Sequence, residues 1–81
     1  MSEHVGPEVV EQLIQAVSRL YAKQIMAERR AAQPDSERME KLKAKVAACA
    51  ADQEALSGAD EREMTDLATR YAALRKELGG S

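Results

Sequence analysis

Between residues 9 and 26 the apolar positions are 9, 10, 13, 14, 17, 20, 21, 25 and 26, the spacing of one broad face of an α-helix. Gly6-Pro7-Glu8 reads as the start of that helix: glycine is acceptable at the N-cap, and proline is favoured at the first helical position. Glu8 and Glu11 then sit near the positive end of the helix dipole, and Arg29 and Arg30 near the negative end. Gln33-Pro34 stops the helix, because the residue before a proline is pushed out of the α region. The pattern predicts a helix over 7–32, preceded by a short flexible lead at 1–6.

A second helix, over 35–56, begins at Asp35 or Ser36, either of which can cap its free N–H groups. Its seam runs Met39, Leu42, Val46, Cys49, Gln53 and Leu56, alternating steps of three and four as in a heptad repeat. Ser57-Gly58 interrupts it. Ser57 or Asp60 can cap the next helix, and Asp60-x-x-Glu63 has nearly the form of a capping box. A third helix over 59–78 carries Met64, Leu67, Tyr71, Leu74 and Leu78, and Gly79-Gly80 ends it in a short tail, 79–81. The heptad of the second helix, continued unbroken, would place seam residues at 60 and 63, both charged. The seam resumes at 64 instead, one residue late. A slip that coincides with Ser-Gly argues for a tight turn. The expected fold is all-α: a single-domain, three-helix protein, with a long N-terminal helix plus an antiparallel coiled-coil helical hairpin.

The first helix is wider than the other two. One line runs Val10, Ile14, Val17, Tyr21, Ile25; a second runs Val9, Leu13, Ala16, Leu20, Ala27. Two lines call for cover on two sides. Either the helix lies in the groove between the other two and uses its whole width there, or the second line is an interface. The second line is taken here as the candidate interface, with the protein itself, as a homodimer or larger, or another protein as partner.

Composition sharpens this reading. The chain of 81 residues has no Trp, no Phe and two Tyr, so core volume must come from aliphatic side chains and Met. A core of this size yields only a few kcal/mol, and oligomerisation is a usual supplement. One cysteine excludes an intrachain disulfide, and His4 with Cys49 falls short of a structural zinc site. Twelve basic and fourteen acidic side chains are evenly mixed, unlike a nucleic-acid arm or an acidic tail. No apolar run approaches the length of a membrane span. The polar, partly acidic start is unlike a secretory signal, and a lone thiol suits a reducing compartment, so the expected location is cytoplasmic.

Candidate chemistry is sparse. His4 has no neighbouring ligand or acid, Cys49 occupies a seam between alanines where a thiol packs as an apolar group, and Gln53 is a polar seam residue able to set register. Arg29, Arg30, Arg38, Lys41 and Lys45 form a possible basic patch, although Arg38, Lys41, Lys43 and Lys45 spread round their helix and Glu37 and Glu40 dilute them. No Gly-rich phosphate loop, activated nucleophile or ligand cluster is present, so neither an enzyme nor a cofactor is expected. The expectation is a non-catalytic helical protein–protein interaction module, an adaptor, chaperone-like or regulatory protein that self-associates through helix 1. The alternative is a DNA-associated accessory factor of plasmid or phage type, acting as a dimer that displays the basic residues together.

Overall fold

The computed structural model describes residues 6–79 and contains three α-helices: α1 (Pro7–Arg30), α2 (Ser36–Ala55) and α3 (Glu61–Gly79), with a 3₁₀ turn, Leu56–Gly58, between the last two. Residues 1–5 of the expected lead, including His4, and residues 80–81 of the expected tail lie outside the described residues.

The helix starts follow local chemistry. Gly6 is extended ahead of Pro7, and its carbonyl accepts from the Val9 and Val10 N–H groups. Asp35, not Ser36, caps α2: its Oδ1 accepts from the N–H of Glu37 at 3.0 Å and of Arg38 at 3.2 Å. At α3 the capping box closes in both directions. Asp60 Oδ1 accepts from Glu63 N–H at 2.8 Å, and Glu63 Oε1 accepts from Asp60 N–H at 3.1 Å. Removing an N-cap side chain costs about 0.5–2 kcal/mol. Asp60→Ala is therefore expected to lower stability by about 1 kcal/mol in urea denaturation, with no loss of helix at low urea.

The ends differ from expectation by one or two residues. α1 stops at Arg30, because Ala31 is already extended. The connection that follows is tied back to α1 by Glu28, whose carboxylate accepts the Asp35 N–H at 3.1 Å and pairs with Arg38 at 3.1 Å. The start of α3 moves from 59 to 61, since Ala59 is extended and Asp60 is the cap.

Side chains fix the directions. Glu28 of α1 meets Arg38 of α2, and Lys45 of α2 lies over the Tyr21 ring, so α1 and α2 run antiparallel. Arg70 and Tyr71 of α3 meet Asp52 of α2, so α2 and α3 are antiparallel too. α1 packs along both of the others, whereas the backbones of α2 and α3 scarcely approach each other. The hairpin is thus splayed by α1, and the molecule is flattened, 51 × 27 × 15 Å. The volumes explain this. α2 offers mostly alanine outside its seam, while α1 carries the bulkier aliphatics, so α1 fills the space between the two.

The core is the first line of α1, with Val10, Ile14 and Val17 wholly inaccessible and Tyr21 nearly so. Leu42, Cys49, Leu56 and Tyr71 complete it, and Met64, Leu67, Leu74, Leu78, Val46 and Ile25 pack around them. Met39 is half-buried. The width of α1 is largely explained by its place between two helices. Along the second line Leu13, Ala16 and Leu20 are half-buried, whereas Val9 and Ala27 are exposed.

Candidate docking surfaces

The first surface is the cleft left where α2 and α3 are held apart. Tyr21, Cys49 and Tyr71 lie at its base, and Lys45, Asp52, Arg70 and Glu77 along its sides. Asp52 organises it: the Tyr71 hydroxyl donates to Oδ2, and the Arg70 guanidinium donates to the same oxygen at 3.1 Å. Arg70 also lies 5.7 Å from the Tyr71 ring centre, and Lys45 lies 5.9 Å from that of Tyr21. Such contacts over a ring face are favourable for a cation.

Burial dominates the proton chemistry here. It pushes Tyr71 well above the ordinary tyrosine range, and the bond donated to Asp52 adds to it, since ionisation would lose that bond. Burial likewise raises the Cys49 thiol, an effect opposed by the neighbouring Tyr71 hydroxyl and reinforced by the charge on Asp52. Tyr21 is raised by burial first, then by the proximity of Cys49 and Glu77. A thiol held protonated in this way packs as an apolar group and is a poor nucleophile.

These raised values predict an alkaline weakening. Near neutral pH all three groups are protonated in both folded and unfolded chains, and their contribution is fully present. As pH rises past the ordinary values, 9.0 for cysteine and 10.0 for tyrosine, the unfolded chain ionises first and stability falls. The urea midpoint should stay level from about pH 7 to 8.5 and drop between about 9 and 11. Cys49→Ala should blunt the early part of the drop and Tyr71→Phe the later part.

The second surface is the outer flank of α1. An open groove of about 940 Å³ runs along it, larger than the α2–α3 cleft at about 640 Å³. Ala16, Leu20, Ala22, Met26 and Ala27 supply its apolar lining. Met26 is 48% exposed, and with Val9 it is one of the two large apolar side chains most open to water among the described residues. The charged groups that line it are Arg19, Lys23 and Arg30 from α1 and Arg75 from α3; no acidic residue does. Among the described residues none of these four forms an ion pair.

The structure divides the residues singled out from sequence. Of the interface line, Ala16, Leu20 and Ala27 share the α1 groove; Leu13 packs against the core, and Val9 is 51% exposed near the start of the helix. The basic residues do not act as one patch. Arg38 is taken by Glu28, Lys41 approaches Glu37 at 4.0 Å, Lys45 lies over Tyr21, Arg29 is exposed, and Arg30 belongs to the groove. Gln53 is half-buried.

Two contributors escape the sequence reading. Asp52 stands one position before the heptad residue Gln53. Its place three after Cys49 and four before Leu56, on the flank of the buried line Leu42, Cys49 and Leu56, was the available signal. Arg75 reads only as a helix-end cation, and nothing short of the topology sets it beside α1.

No group of three His, Cys, Asp or Glu residues among those described is placed to hold a metal ion. No described helix is long and apolar enough to cross a membrane. No family model, curated protein or solved structure matches the chain.

Proposed function

We propose that this protein is a non-catalytic helical module for protein–protein interaction, and that its docking face is the outer flank of α1. The observation that carries the reading is the groove on that flank. Apolar side chains remain open to water there on the helix that also supplies the core, and an open apolar patch on a soluble surface usually marks an interaction site. Helix-in-groove recognition uses such a surface, with apolar anchors spaced along an incoming helix.

The DNA-binding reading has less support. It needs Arg29, Arg30, Arg38, Lys41 and Lys45 displayed together, and three of them are engaged within the chain. The test is selection from an unbiased display library of helical peptides. Binders should be recovered, and Leu20→Gln and Ala27→Gln should each weaken them. Ala27 is exposed, so its substitution leaves the fold intact and keeps the result interpretable. Binders indifferent to both substitutions would overturn the reading.

A further inference from the structure

The α1 groove has a charge pattern that narrows its occupant. From residue 16 to residue 30 it runs along about 21 Å of helix, or four turns. Arg19, Lys23 and Arg30 fall at i, i+4 and i+11, a single line on a helix that turns about 100° per residue. Ala16, Leu20 and Ala27 form the strip beside that line, and Arg75 reaches the groove from α3. The chain as a whole is slightly acidic, with a formal charge of −2, yet every charge lining this groove is positive.

Resting on the docking reading above, we infer that the groove receives an acidic amphipathic helix from a different protein. Apolar residues of the incoming helix sit on Leu20 and the alanines, and flanking Glu or Asp side chains meet Arg19, Lys23, Arg30 and Arg75. The small alanines allow close approach of the two backbones. Complementary charge also sets register and speeds encounter.

A second copy of this chain is a poorer occupant. A two-fold axis brings the same patch against itself, so the four cations of one groove would oppose the four of the other. Like charges placed together at an interface are strongly disfavoured. An anionic membrane shares the charge preference. It wants a broad face of bulky apolar side chains that penetrate the acyl boundary, though, and here only Leu20 and Met26 are bulky, the other apolar lining being alanine.

The test uses the full chain and a synthetic peptide of about 20 residues, long enough to hold a helix. One face carries Leu and Ala, flanked by Glu; a second version has each Glu replaced by Gln. Binding is read by fluorescence anisotropy, with vesicles of equal phosphatidylserine and phosphatidylcholine as competitor and sedimentation equilibrium of the chain alone. The acidic peptide should bind, and should weaken as salt rises from about 0.05 to 0.5 M. The double variant Arg19→Glu/Lys23→Glu should weaken it ~10-fold or more. Arg75→Glu, on a separate helix, should weaken it too, whereas Lys43→Glu on the exposed face of α2 should change it by less than about twofold. All of these substitutions are at exposed positions, and circular dichroism confirms the fold.

Equal binding of the Gln peptide would overturn the charge inference and leave the docking reading standing. Failure of both peptides, together with no library binder sensitive to Leu20→Gln or Ala27→Gln, would overturn both. A dimer dissociated by Ala27→Gln would give the groove to a second copy. Displacement of the peptide by the vesicles at matched lipid would give it to a membrane. Either result would also overturn the inference.

Discussion

Ile14→Ala is expected to cost about 2–5 kcal/mol, the range for truncating a buried aliphatic side chain. Ile14 is wholly inaccessible, lies midway along α1 and is flanked by Val10 and Val17, which are equally buried. The helices on either side are held by their own packing on α1, so they cannot collapse into the space without losing contacts elsewhere. A domain of this length has a total stability of about 4–12 kcal/mol, so the loss is a large part of the whole. Chemical denaturation followed by circular dichroism should show it as a large drop in midpoint, or as a chain already partly unfolded in water. Leu20→Ala is the internal comparison. Leu20 is half-buried at the edge of the groove, and its truncation should cost clearly less. Equal costs at the two positions would mean that the two lines of α1 are equally part of the core.

Tyr71→Ala is expected to be comparably damaging, at about 3–5 kcal/mol for a buried aromatic ring. The ring is 3% exposed and stands in the core cluster beside Cys49. Its hydroxyl is also the main polar tie between the splayed helices, because it donates to Asp52. Tyr71→Phe separates the two contributions. It keeps the ring and removes the donor, and hydrogen bonds to charged groups contribute about 1.5–3 kcal/mol. Asp52 keeps Arg70 as a partner, so the cost should fall at or below the low end of that range. Urea titrations of wild type and both variants at neutral pH give the two differences directly.

Much of the architecture was legible along the chain because it is set by near neighbours. Gly6-Pro7, Asp35 and the reciprocal Asp60–Glu63 pair determine where helices begin, and each acts within four residues. The slip of the seam between Leu56 and Met64 marked the turn, because it coincides with Ser57-Gly58, where a helix is readily broken. The seams themselves face inward: Leu42, Cys49, Leu56 and Tyr71 are buried.

The rest depended on how the helices share volume. Periodicity shows that α1 has two apolar lines, but both a wedge and an interface produce that pattern. The choice was made by the alanine content of α2, which leaves room for α1 to lie against both partners. Glu28 was hidden for another reason. It reaches across seven residues to the Asp35 N–H and on to Arg38, a tie that neither helical period nor cap rules report. The cationic groove was only half visible: Arg19, Lys23 and Arg30 share a face of α1, but Arg75 comes from the far end of the sequence.

The central claim is that the outer flank of α1 is the binding face, and backbone amide chemical shifts test it most directly. On titration of the isotope-labelled chain with the acidic helical peptide, the amides of Ala16, Leu20, Lys23 and Ala27 should move most, followed by Arg75, while those of Ala48, Asp52 and Ala73 beside the α2–α3 cleft stay in place. Shifts concentrated in the cleft, with the α1 flank unmoved, would contradict the account.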